Sequence, residues 1–162
     1  RNESMIAKVL SKVEWLAIFF FAGLFVLVGA LVETGVIKML AAEAMKLTSG
    51  SVSATAMLVL WMSAVASAFI DNIPFVATLI PLIQDMGQMG IASLDPIWWS
   101  LSLGACLGGN GTLIGASANV VVASMAAQRG KQISFLGFMK IAFPVMLLTI
   151  LISNVYVWLR YL

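Results

Sequence analysis

Charge is what this chain has least of. Only 10% of its 162 residues are Asp, Glu, Lys or Arg, against about 25% in a soluble domain. It has no histidine and one cysteine, Cys106. That excludes a disulfide framework and a Cys/His zinc site, and it removes the histidine that a serine-histidine nucleophile needs. The nine basic residues form no cluster and the net charge is +2, so no nucleic-acid partner is expected. The chain opens on Arg1 rather than Met, and Arg1 to Glu14 lacks a signal-peptide core. The expectation is a fragment of a longer protein.

What is abundant is apolar. At 62% hydrophobic residues, a soluble domain of this length has too little polar surface to cover its interior, so the bilayer is the expected solvent and partner. Trp15 to about Ile37 reads as a plain spanning helix, long enough for about 30 Å of hydrocarbon. Ala41 to Ser51, with Glu43 and Lys46 among small residues, reads as a surface connection. Val52 to Ile83 is apolar but interrupted, and straight it would run about 48 Å, too long for one crossing. Pro74 disfavours helical geometry at Ile73. The segment therefore reads as a hairpin over 52–84, with arms Ser53–Phe69 and Phe75–Gln84 meeting at a polar tip. A polar loop follows over Gln84–Asp95. Ile97–Ala127 reads as a broken helix closed by Arg129-Gly130-Lys131. Phe135–Leu159 makes the last crossing, bent at Pro144. All of this makes one transmembrane domain over residues 1–162.

Basic residues orient it. If the hairpin enters and returns, Arg1, Lys8, Lys12, Arg129, Lys131 and Lys140 share one face, and Lys38, Lys46 and Arg160 the other. The positive-inside rule then sets the N-terminus in the cytoplasm and the C-terminus outside. Trp98, Trp99, Trp158 and Tyr161 fall at the outer interface and Trp15 at the inner one, as an aromatic belt requires.

Two polar interruptions carry the chemistry. Asp71 is the only acidic residue between Glu43 and Asp85, and a carboxylate at membrane depth costs a few kcal/mol unless a cavity or partner receives it. Irregular backbone is tolerated there only when it is buried or lines a watery cavity. The Asp71 carboxylate, the Asn72 amide and freed carbonyls are hard oxygen ligands for Na⁺, or Asp71 takes a proton. The start of the second arm also offers amide N–H groups to an anion. The alternatives for Asp71 are pairing with a basic residue or capping that arm.

The second interruption runs from Gly104 to Asn119. Gly104, Gly108, Gly109, Gly111 and Gly115 fall within twelve residues, each weakening a helix by about 1 kcal/mol relative to Ala. Asn110, Thr112, Ser117 and Asn119 add polar groups. The segment reads as a discontinuous helix whose broken ends contribute to a site. The alternative is close helix packing through small residues, which accounts for the glycines but not for two asparagines. A dinucleotide loop is excluded by the glycine spacing and the lack of a preceding strand.

In this order and separation, the two blocks resemble the ion transporter superfamily: arsenite permeases, sodium/proton antiporters, citrate and dicarboxylate symporters and the melanosomal P protein group. The likeness is nearest to the last. Val13-Glu14-Trp15, Leu24-Phe25-Val26-Leu27, Ile70-Asp71-Asn72-Ile73-Pro74-Phe75 and Gly104–Val121 carry it. The resemblance implies an all-α integral membrane fold, the C-terminal one of two inverted repeats, with a helical hairpin and a discontinuous helix. It implies that the N-terminal repeat of the same protein is a missing partner, that the protein is a homodimer, and that the hairpin domain moves against a dimeric scaffold as an elevator. The group's Ser-Asn-Thr hairpin signature falls on Ile70–Ile73 with only Asn72 kept. Its Gly-Thr-Pro-Pro-Asn turn falls on Gly115–Asn119, keeping both ends and losing both prolines.

The expected function is secondary ion transport. Asp71 is the titrating group, and Asn72, Asn110, Thr112, Gly115, Ser117 and Asn119 are neutral ligands. Pro74, Gly108, Gly109 and Gly111 are the backbone breaks. A Na⁺ site is expected at Asp71, Asn72 and Asn119, with no cofactor beyond a coupling Na⁺ or H⁺. Candidate substrates are Na⁺/H⁺, then arsenite or antimonite, then small organic anions such as citrate. A channel-like pore is the nearest rival. An aspartyl intramembrane protease needs two membrane aspartates and only Asp71 qualifies. A purely structural membrane subunit is the remaining reading.

Overall fold

The computed structural model describes residues 15–162, with side chains from Ile18 onward. Expectations for Arg1, Lys8, Lys12, Val13 and Glu14, and for the Trp15 side chain, lie outside the described residues. Those residues form seven helices and no strand. They are α1 (Trp15–Glu33), α2 (Val36–Leu47), α3 (Val52–Ser67), α4 (Asn72–Gln88), α5 (Asp95–Gly108), α6 (Ser117–Gln128) and α7 (Phe135–Tyr161).

The first apolar helix is shorter than the hydropathy suggested. It stops at Glu33, and the chain turns by 66° into α2. Gly35 makes the turn with φ +75°, a left-handed conformation that glycine adopts without a Cβ penalty. The stretch expected to be a surface connection is instead largely helix. Ala, Leu and Met favour it, and Ile37 and Ala41 give it an apolar stripe that is buried. Glu43 and Lys46 face outward and pair at 2.6 Å.

α3 and α4 are the two arms of the 52–84 segment. At 16 residues α3 is about 24 Å long, short of a 30 Å core. α4 begins at Asn72, not at Phe75. Pro74 breaks nothing: in a first turn its missing N–H is one the helix could not have used anyway. α4 also runs on to Gln88, through residues expected in the following loop. α5 and α6 are the halves of the interrupted helix. α7, with 27 residues, is long and apolar enough to cross a membrane. The Trp99 and Tyr161 rings stack at 5.6 Å, which puts the start of α5 and the end of α7 at one level.

Two apolar clusters hold these helices. One joins α2, α3, α4 and α5 through Ile37, Ala41, Val59, Ile83, Met86 and Ile97. The other packs Leu60, Ala64 and Ala68 against Met146 and Ile150 of α7. No residue of α6 is buried.

Candidate functional site

α3 and α5 lie closer than ordinary side chains permit. A Cβ on Gly104 would sit 2.8 Å from the Ser63 Cβ, and one on Gly108 would sit 2.6 Å from the Ala64 Cα. Glycine at these two positions is therefore a packing requirement, the alternative the sequence left open. The contact runs in parallel register, Leu60 beside Gly104 and Ala64 beside Gly108. Consequently the C-terminal end of α3 and the break after α5 arrive together.

Hydrogen bonds knit the two ends. Ser67 Oγ donates to the Ala105 carbonyl at 2.6 Å. The buried Thr112 hydroxyl donates to the Ala68 carbonyl and accepts from the Gly115 N–H at 3.1 Å. Asn119 Nδ2 donates to the Gly109 and Thr112 carbonyls, each at 3.1 Å. Around Gly115 three carbonyl oxygens converge: a Cβ there would lie 2.7 Å from Gly109 O, 2.9 Å from Ala68 O and 3.0 Å from Ser67 O. A closely packed, oxygen-rich backbone junction with no room for a Cβ thus joins both interruptions.

The expected site residues divide between two roles. Thr112, Gly115 and Asn119 form this junction with Gly108 and Gly109, and Gly111 faces Met146 and Ala68. Their polar groups are engaged in holding the break, with the Asn119 side-chain oxygen left over. Asp71 caps α4, its Oδ1 accepting the Ile73 N–H at 3.0 Å, which is the capping alternative realised. Asn72, half-buried, opens α4 and lines a cavity of about 420 Å³ with Ser102 and Cys106 of α5. Asn110 and Ser117 are exposed. Among the described residues no hydrogen bond joins Asp71 or Asn72 to Asn119, and no three His, Cys, Asp or Glu side chains cluster as a metal site.

Sequence reasoning missed Ser67, Ser102 and Cys106, and it expected freed carbonyls at the tip without assigning them to Ser67 and Ala68. Ser67 had one signal, a hydroxyl one helical turn before Asp71, on an arm that also carries Ser53, Thr55 and Ser63. Which carbonyls would serve had no signal, since any residue supplies one.

The citrate transporter profile (CitMHS) matches residues 2–104. The chain belongs to the citrate transporter family. This member is 49% identical over 157 residues to an uncharacterized transporter of Mycobacterium tuberculosis, covering 96% of the chain and 37% of that protein. It is 44% identical over 159 residues to a 46 kDa membrane protein of Mycobacterium leprae (94% and 36%). It is 42% identical over 161 residues to the P protein of Mus musculus (95% and 19%). This citrate transporter family chain thus spans about a third of the length of its mycobacterial relatives. No solved structure matches it. The family description and the relatives' names speak of transport, and the likeness to the P protein is the one its motifs carried.

Proposed function

We propose that the chain is part of a secondary active ion transporter whose site lies where the Ala68–Asp71 tip meets the 109–116 break. The observation that carries this is the convergence of the Ser67, Ala68 and Gly109 carbonyls on Gly115. Backbone oxygen ligands from two interrupted helices are how membrane proteins hold a bare cation. Depth supports it. Met146, which packs on Ala68 and Gly111, lies eleven residues from one end of α7 and fifteen from the other. That is about 16 and 22 Å along a helix of 1.5 Å rise, close to the membrane midplane.

On this reading the protein crosses the membrane several times with its N-terminal side cytoplasmic. The carbonyls, the Asn119 oxygen and Asn72 supply neutral ligands, and Asp71 supplies the charge that takes a proton or balances Na⁺. Na⁺/H⁺ antiport leads, with arsenite permeation behind it. Organic anion symport is a second reading, favoured by the family's citrate transporters. A negative Asp71 opposes a carboxylate unless a bound cation offsets it. The rest of the longer protein completes the site, the functional unit is a dimer, and no cofactor beyond the coupling ion takes part.

The test uses the full-length protein in liposomes with an internal pH dye, given Na⁺, Li⁺, citrate and arsenite gradients in turn. A cation-driven pH change that Asp71→Asn abolishes supports antiport with Asp71 as coupling residue. Citrate- or arsenite-dependent flux without a cation response moves the protein to the anion or metalloid reading. Full coupled activity in Asp71→Asn removes Asp71 from the mechanism.

A further inference from the structure

The two halves of α4 are held very differently. Leu82, Ile83 and Met86, all beyond Pro81, are buried in the core shared with α2, α3 and α5. No residue of Asn72–Ile80 is buried, and Phe75, Val76 and Leu79 only border that core, partly buried. A cavity flanks that inner half on either side instead. About 420 Å³ separates it from α5, where Leu101, Ser102 and Cys106 form the far wall. About 500 Å³ separates it from α1, where Phe25 forms the far wall. Asn72, Val76 and Ile80 line both spaces, one ridge with room on each flank.

Pro81 sits at the boundary. It has no N–H to give the Ala77 carbonyl, so the helix ladder is interrupted where the anchored half ends. Such positions are where helices bend, by 20° or more. Arm α3 has no such freedom, because Gly108 and the Ser67–Ala105 and Thr112–Ala68 bonds hold it to α5.

We propose that Asn72–Ile80 is a gate hinged at Pro81, which swings Asp71 and Asn72 between the α5 side and the α1 side. Nine residues make a lever of about 13 Å, so a 20° change in the kink carries the tip about 4–5 Å. Closing one cavity widens the other, which gives the element two discrete positions. Asp71 caps the moving end, while the carbonyls around Gly115 stay with α3 and α5. The gate therefore brings the charge to the carbonyls or takes it away.

This rests on the transport reading for its purpose but is tested without transport. Disulfide formation requires Cβ atoms about 4 Å apart, and one fixed position of α4 between two open cavities does not give both pairs. In the full-length protein in liposomes, with other cysteines replaced, Val76→Cys is oxidised against native Cys106. Separately, Val76→Cys is oxidised against Phe25→Cys in a Cys106→Ser background. Both pairs are expected to form, and Pro81→Ala is expected to cut at least one yield several-fold. Failure of either pair, or unchanged yields in Pro81→Ala, overturns the hinge. Locking Val76→Cys to Cys106 should also stop flux of whichever ion the protein carries, reversibly with reductant. Full flux in the locked protein overturns the gating role even if the hinge moves.

Discussion

Gly108→Ala is the sharpest probe of how the two interruptions are joined. The added Cβ would meet the Ala64 backbone, 2.6 Å from its Cα and closer still to its carbonyl oxygen. No rotamer change relieves a clash with backbone, so α3 and α5 must separate by about 1 Å to restore ordinary contact. Ser67 Oγ and the Ala105 oxygen, now 2.6 Å apart, would then exceed hydrogen-bonding distance, and the neighbouring Thr112–Ala68 bond would strain with them. Overpacking of this kind costs about 1–3 kcal/mol, and each interhelical bond lost in a bilayer adds about 0.6 kcal/mol. The sum is about 2–4 kcal/mol. Gly23→Ala and Gly29→Ala on α1 meet nothing within 4 Å and should gain up to about 1 kcal/mol from helix propensity. Thermal unfolding of the purified full-length protein in detergent reads the difference. Gly108→Ala is expected to melt several degrees lower with transport lost, and the α1 variants at or above the parent value. A Gly108→Ala protein as stable and active as the parent would refute the parallel α3–α5 register on which the junction depends.

Three further outcomes follow from the geometry. Asp71→Asn keeps an oxygen for the Ile73 N–H, so stability should stay within about 0.5 kcal/mol while Asp71→Ala loses about 1 kcal/mol; equal melting shifts would show that the cap contributes nothing. Thr112→Val leaves the Ala68 carbonyl and Gly115 N–H without their partner and should cost about 1–3 kcal/mol, with Thr112→Ser restoring most of it. Trp61→Phe removes the 3.0 Å bond from the indole N–H to Asn154 Oδ1 between α3 and α7. It should lower stability by about 0.6–1.7 kcal/mol and leave ion selectivity unchanged; altered selectivity would place this pair in the transport path.

Much of the plan was legible in the residues. Long apolar runs locate α1, α3, α5 and α7, and polar residues within them locate both interruptions, because hydrocarbon tolerates neither charge nor loose backbone without a reason. The boundaries that went astray have local causes. Gly35 ends α1 early by turning left-handed, a freedom glycine has but does not always use. Pro74 sits where a helix can begin as easily as it can break. The α2 segment carries three charges in twelve residues, Lys38, Glu43 and Lys46, and its second half reads as a surface connection, yet Glu43 and Lys46 form one exposed pair on a helix whose other face is buried.

By itself the sequence determined that the protein is helical, that bilayer is its solvent, and that Asp71 and the Gly104–Asn119 block are its two anomalies. Hydropathy and charge are sums over residues and need no partner to be read. Only the tertiary structure decided what the anomalies do to each other. The parallel packing of α3 on α5 brings Ser67 and Ala68 to Gly115, turning Thr112 and Asn119 into the fastening of the junction through the Ala68 and Gly109 carbonyls. It likewise decided that α4 is buried in the core beyond Pro81 and only partly buried before it. Carbonyl convergence and empty space belong to pairs of segments far apart in the chain, and no single residue's chemistry encodes them.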